Sequence, residues 1–375
     1  MVNNILRLRI NIPNDVCETK YVPSAYKVIK SLGTGGFGVV TVAQKKKLPT
    51  SPCVAVKRIK CKTSDNEICG LEYTAPLKRS SIEKEIDIWK TLDHPFINRY
   101  VESIFNASEN VFYIVSELAN AQDLFTAIYE QNTSLCQHTM FIPTFHLQIT
   151  NAIKYLHTTM KLFHGDIKAE NILLDLRPIS KNKTLTKNER DLVFRNDELP
   201  PHLKFTNAND DECFLLHFQL TDFGAAFNVF PRSSRHARFR GTLAYIAPEF
   251  LSICHDYHQI NEWVDPRCQD IWAFALTLWD LFLPKINPFR SGELELVLPP
   301  KYNFRFANPE VQFNDSIWLN DDNLGNRFCS LYTQKYGQLP ARNLHTLMKG
   351  MTLFDHTQRM QISDITRFTL FQLHK

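Results

Sequence analysis

The chain has 375 residues, 44% of them hydrophobic and 22% charged, which excludes a wholly disordered or fibrous protein. A chain of this length buries enough surface to need no disulfide or metal staple. Its net charge of +4, from 43 Lys and Arg against 39 Asp and Glu, is too small to argue for nucleic acid or a membrane surface.

Residues 1–25 read as an N-terminal extension. Ile5, Leu6, Arg7, Leu8, Arg9 and Ile10 alternate as a strand would. Arg7 and Arg9 without a nearby acid also resemble a mitochondrial presequence, which stands as the minor alternative to a cytoplasmic or nuclear location. From Tyr26 to Glu117 the pattern is strand-like. Val39–Ala43 and Val54–Ile59 are β-branched runs, joined by a polar turn with Lys45, Lys46 and Lys47. Ser80–Leu92 carries Ile82, Ile86, Trp89 and Leu92 at helical spacing, and Ser81 is its expected cap. Val111–Val115 is a further strand. Residues 26–117 thus form a small strand-rich part.

From residue 118 to 375 the character changes to helical, with apolar spacing over Phe145–Thr158, Ile271–Phe282 and Leu344–Phe354. The expected fold is α+β and two-lobed, with a small β-rich lobe, a larger helical lobe and a cleft between them. Two stretches interrupt it. Arg177–Cys213 has seven basic and seven acidic side chains and reads as a surface insertion without a packed core. Residues 293–338 form a long mixed segment, with Phe304, Phe306, Phe313, Ile317 and Trp318 as packing residues. The longest apolar run, Ile271–Leu283, contains Thr277 and Asp280 and is too short to span a bilayer. Nine cysteines without a Cys-x-x-Cys pair, and no signal-peptide pattern, imply free thiols in a reducing compartment.

Glycine is scarce, 12 in the chain against a usual share of about 7%, yet four cluster at 33, 35, 36 and 38. Gly33-Thr34-Gly35-Gly36-Phe37-Gly38-Val39-Val40 follows G-x-G-x-x-G-x-V. A dinucleotide site needs a helix after the last glycine. Here a strand follows, and a glycine loop between strands can fold its N–H groups over phosphates. Lys57, in Val54-Ala55-Val56-Lys57, needs an anion if it is buried. Glu85 on the following helix can hold that ammonium toward phosphates, and Glu83 is the lesser candidate.

His164-Gly165-Asp166-Ile167-Lys168-Ala169-Glu170-Asn171 sets a carboxylate, an ammonium and an amide on one loop. Asp166 can accept the proton of an attacking hydroxyl, Lys168 can neutralise a transferring phosphoryl group, and Asn171 can ligate magnesium. Asp222-Phe223-Gly224 offers a hard oxygen ligand for the same metal. Ala247-Pro248-Glu249, Asp270 with Trp272, and Asp355 with Arg359 complete an ordered series.

Taken in that order, the motifs resemble those of a eukaryotic protein kinase across about residues 26–372. The resemblance implies a bilobal fold that binds ATP and Mg2+ and phosphorylates protein hydroxyls. By similarity, Lys57 and Glu85 serve the phosphates, Asp166 is the catalytic base, and Asn171 and Asp222 hold metal. Glu117–Ala119 resembles the hinge that meets adenine, with Val40, Ala55 and Leu173 lining the ring, Asp123 near the ribose and Ser116 at the gatekeeper position. Glu249 and Arg359 resemble the family's buried pair.

Lys168 and Gly241-Thr242 resemble the serine/threonine type, with Thr242 bracing Asp166 and Lys168. Glu170 and Asp123 resemble positions that favour upstream basic residues in the substrate. Asp123-Leu124-Phe125-Thr126-Ala127-Ile128 has a fainter similarity to fungal nutrient-response and meiosis-control kinases.

Three features depart from the family pattern. Gly165 replaces the usual arginine, 56 positions separate Asp166 from Asp222, and Ala275 replaces a glycine. The first two favour the competing reading, a catalytically weak nucleotide-binding scaffold, and leave the regulatory partner open. A dinucleotide enzyme is the remaining alternative.

Overall fold

A computed structural model of the chain describes residues 22–35, 38–48, 50–62, 77–130, 141–179, 184, 193–195, 211–229, 241–242, 245–247, 249–250, 264–282, 338–353 and 355–368. The chain divides into two compact units, one of residues 1–121 with 174–216 and the other of 122–173 with 217–375.

The first unit holds five antiparallel strands: β1 (Tyr26–Gly35), β2 (Gly38–Lys45), β3 (Val54–Lys60), β4 (Tyr100–Asn106) and β5 (Val111–Glu117), in the order β1-β2-β3-β5-β4. The β-branched runs of β2 and β3 pair in register, Val40 opposite Lys57 and Val42 opposite Ala55. Ala43, Val56, Val111, Tyr113 and Val115 bury one face with Val22 and Tyr26, as period-two alternation requires. Lys46 and Lys47 form the turn after β2. Lys45, at the end of that strand, pairs with Glu102 at 3.0 Å.

Helix α1 (Arg79–Trp89) buries Ile82, Glu85, Ile86 and Trp89. Its start differs from expectation. Ser81 lies inside the helix, and the N-cap is Lys78, with extended backbone and no side-chain cap bond. The reason is tertiary: Leu77 bridges Cys61 on the sheet side, with Leu77 N–H donating to Lys60 O at 3.0 Å and Lys62 N–H to Leu77 O at 2.9 Å. That pairing delivers the chain into the helix two residues before the serine.

In the second unit, β6 (Gln122–Asp123) precedes α2 (Phe141–Lys154), which continues as a wider π turn over Tyr155–Met160. Lys161 closes it in the left-handed region at φ 54°. Strand β7 (Leu162–Phe163) leads into the 164–171 loop, which ends in a 3₁₀ turn at Ala169–Asn171. Strand β8 (Ile172–Pro178) leaves this unit for the first, and β10 (Cys213–Leu220) returns.

Within the 177–213 insertion, Val193–Arg195 forms β9 and pairs antiparallel with Cys213–Leu215. This portion of the insertion is therefore ordered into a sheet; residues 180–183, 185–192 and 196–210 lie outside the described residues. The sheet order is β6-β8-β10-β9, and β11 (Phe227–Asn228) pairs with β7.

Helix α3 (Arg267–Phe282) is buried along nearly its whole length. Phe141 and Phe145 of α2 meet Phe218 edge-on, and Phe145 stacks on Phe274 of α3 at 5.8 Å. Helices α4 (Gln338–Met351) and α5 (Ile362–Ile365) follow. The 293–338 segment lies outside the described residues except for Gln338. No helix among the described residues is long and apolar enough to cross a membrane.

Candidate active site

In the first unit, the β1–β2 turn carries the glycine cluster. Gly33 is exposed, Thr34 and Gly35 end β1, and Gly36 and Phe37 lie outside the described residues. Gly38 opens β2, and a Cβ there would collide with the Arg58 carbonyl of β3. The close approach of two strands thus requires that glycine independently of any phosphate.

Lys57 on β3 reaches Glu85 on α1, Nζ to Oε1 at 3.1 Å, and the Glu85 side chain is almost completely buried. Burying that carboxylate needs a partner, and Lys57 supplies it. Glu83 instead pairs with Arg79 one helical turn away, at 2.8 Å, so the sequence preference for Glu85 holds.

Ser116, buried on β5, sits opposite Ala55 of β3 and Tyr100 of β4. Beyond it, Glu117 N–H donates to Arg99 O at 2.9 Å. Leu118, Ala119 and Asn120 leave the sheet half-buried.

In the second unit, the 164–171 loop is tied down from beneath. Asp270, in the first turn of α3 and fully buried, accepts His164 N–H at 2.7 Å and Gly165 N–H at 2.8 Å. His157 Nε2 lies 2.9 Å from the same carboxylate. These two anchors were absent from the sequence reading of the loop. The available signal was an aspartate in the first turn of a mostly apolar helix, whose side chain must find donors once buried.

Gly165 adopts φ +81°, and a Cβ would lie 2.8 Å from Ala225 O, so the backbone itself calls for glycine. His164 Nε2 is 3.1 Å from Thr221 O, and its ring packs edge-on against Phe223.

Asp166 sits at the centre of a small network. Its Oδ1 accepts Thr242 N–H at 2.8 Å, while Oδ2 lies 3.0 Å from both Lys168 Nζ and Asn171 Nδ2. Lys168 also donates to Thr242 Oγ1 at 2.5 Å, and Asn171 Nδ2 to Asp166 O at 2.8 Å. The expected bracing of Asp166 and Lys168 by Thr242 is therefore present.

Asn171 commits its amide nitrogen to Asp166, which aims its amide oxygen elsewhere. Thr221 N–H donates to Asn171 O at 3.0 Å, bringing Asp222 to within one residue of Asn171 along the paired backbones. Asp222 occupies the left-handed region at φ 67°, uncommon for a non-glycine residue.

One carboxylate and one amide oxygen suit Mg2+, which keeps its remaining positions for water and phosphate. Among the described residues no group of three or more His, Cys, Asp or Glu is placed to hold a metal. Leu173 lies on β8. Asp123 is engaged locally, accepting Thr126 N–H and Oγ1–H at 2.9 and 2.8 Å. Glu170 is exposed on the 3₁₀ turn.

Comparison with known proteins gives the family of the chain. The protein kinase domain family model matches residues 26–371, and the chain belongs to that family, with its α+β fold. It is similar to serine/threonine-protein kinase SRK2A of Physcomitrium patens, 28% identical over 268 residues, covering 72% of this chain and 58% of that protein. It is 25% identical over 304 residues to 3-phosphoinositide-dependent protein kinase 1 of Homo sapiens, covering 78% and 41%. With calcium-dependent protein kinase 4 of Plasmodium falciparum it shares 26% over 286 residues, covering 74% and 42%. The chain spans about half the length of the curated relatives it matches.

Proposed function

We infer that this protein is an active serine/threonine kinase, moving the γ-phosphoryl group of ATP to hydroxyls of protein substrates. The observation that carries this reading is the Asp166 network. Donors from Thr242, Lys168 and Asn171 hold the carboxylate in one orientation. A carboxylate so oriented can accept the proton of a substrate hydroxyl as its oxygen attacks phosphorus.

Lys168 offsets the negative charge of the phosphoryl group in transit, and Lys57, steadied by Glu85, meets the α- and β-phosphates. Asn171 and Asp222 would hold Mg2+, which when bound supplies a Lewis acid for the phosphate oxygens. The small strand-rich lobe is assigned to 26–117 and the helical lobe to 118–375, with residues 1–25 an extension. Exposed Glu170 supports a preference for basic residues upstream of the acceptor, through charge-assisted hydrogen bonds to a guanidinium. Asp123 contributes less to it, having both oxygens on Thr126.

Transfer of labelled γ-phosphate from Mg-ATP to a Ser/Thr peptide library tests the reading. Asp166→Ala and Lys57→Met should each lower the rate by on the order of 3 kcal/mol of barrier. Nucleotide binding without any transfer by the wild type would instead favour the scaffold reading.

A further inference from the structure

Residues 117–121 are pinned from two sides by asparagine side chains. Asn98, fully buried, donates from Nδ2 to Glu117 O at 3.0 Å. The backbone carbonyl of Asn98 accepts the Trp89 indole N–H at 2.6 Å, fixing this residue to the end of α1. From the other side, Asn120 pairs with the backbone of Leu176 on β8 as a peptide group would: Nδ2 donates to Leu176 O at 2.7 Å, and Oδ1 accepts Leu176 N–H at 2.7 Å. The backbone N–H of Asn120 adds a bond to Asp175 Oδ1 at 3.1 Å, and Ala121 N–H donates to Leu174 O at 3.2 Å.

The chemistry of the partners fixes both amides. Leu176 N–H can only donate and Glu117 O can only accept, so neither side chain can be flipped without losing its bonds. A turn-forming asparagine bonds to its own neighbours. Asn120 instead bonds 56 positions away along the chain. Its side-chain amide continues the strand pairing where the backbone itself has turned aside.

Asp175 is held in this cluster too. Its second oxygen accepts Arg177 Nε at 3.0 Å, and burial pushes its carboxyl pKa upward.

We propose that Asn98 and Asn120 are positioning residues for purine recognition, clamping the 117–121 backbone so that Glu117 O and Ala119 N–H stand ready for the base. This rests on the kinase reading above, in which that segment meets adenine. A carbonyl has two acceptor lone pairs, so the bond from Asn98 orients the Glu117 oxygen and leaves it able to accept a purine amine. Fixing the segment in advance removes an ordering cost from nucleotide binding and leaves phosphoryl transfer untouched. The clamp therefore acts on affinity for the base and not on the chemical step.

The test compares wild type with Asn120→Ala and Asn98→Val. ATP KM and kcat are measured on a peptide substrate, and binding of adenosine and of inorganic tripolyphosphate is measured separately by calorimetry, with Tm alongside. The expected result is a rise of about tenfold in ATP KM with kcat within about twofold, adenosine affinity falling in step and tripolyphosphate affinity unchanged. Unchanged adenosine affinity in both variants would overturn the clamp while leaving the kinase reading intact. Parallel loss of both affinities together with Tm would reduce the asparagines to a purely structural role and overturn it equally. A wild type that binds neither adenosine nor ATP would remove the kinase reading, and the clamp with it.

Discussion

Arg359 grips Glu249 with both ends of its guanidinium, Nη1 to Oε1 at 2.5 Å and Nη2 to Oε2 at 2.8 Å, with essentially no exposure of the arginine side chain. The same group donates to the carbonyls of Leu353 and Cys268 and lies over the Trp272 ring at 5.1 Å. It thereby ties the residues before α5 to α3 and to the chain segment of Glu249. Deleting the carboxylate would strand a buried cation. Glu249→Leu should cost about 3–5 kcal/mol in urea unfolding. A cost within about 0.5 kcal/mol of wild type would show the pair to be dispensable.

Gly165 leads to a prediction about control. With φ at +81° and the Ala225 carbonyl close by, Gly165→Ala should lose about 1–3 kcal/mol of stability. Where kinases depend on a loop phosphate, an arginine at this position gathers it. This chain has no side chain there, so activity should not require a phosphate on Ser233 or Ser234, which lie outside the described residues. Both the Ser233→Ala/Ser234→Ala protein and phosphatase-treated wild type should keep kcat within tenfold of untreated enzyme, about 1.4 kcal/mol of barrier.

Burial beside Phe274 lowers the pKa of His146 to about 4. In the unfolded chain it titrates near 6.5. Because the folded form resists protonation, stability is fully present above about pH 6.5 and falls as pH drops toward 4. The loss reaches about 3 kcal/mol. His146→Phe should flatten this slope, narrowing the gap in unfolding free energy between pH 7.5 and pH 5 relative to wild type. Equal gaps in the two proteins would contradict the assignment.

Ser116 governs the fourth prediction. Opposite Ala55 and buried on β5, it leaves little side-chain bulk beside the proposed adenine contact. ATP analogues enlarged at the purine N6 position should bind the unmodified protein. Ser116→Met should lose them by overlap while retaining ATP, and equal binding by both would remove Ser116 from the gate.

Local pattern accounts for much of this fold. The β-branched runs of β2, β3 and β5 and the spacing of Ile82, Ile86 and Trp89 were readable because each element buries one face with its own period. The Lys57–Glu85 contact followed from the same logic, since a buried ammonium needs a carboxylate within reach. What escaped was set by distant partners. Ser81 looked like a cap, yet the Cys61–Leu77 bridge set the helix start instead. Val193–Arg195 is too short to show a period, and only its pairing with Cys213–Leu215 makes it a strand. Asp270 and His157, 113 positions apart, act on the 164–166 loop through bonds that no spacing rule encodes.

The insertion also sets the border of the sheet it extends. Ile179 N–H bonds to Cys213 O at 2.8 Å, so the segment departs and returns at one closed neck. Without its own strand, β10 would present a row of unpaired amides and carbonyls, a template on which another chain could add. By laying Val193–Arg195 along Cys213–Leu215, the segment moves that margin outward onto an edge strand of only three residues, and a short edge is a poor template. Trimming the insertion back to its neck would therefore shift the border of the sheet from the insertion onto Cys213–Leu215 of β10 itself.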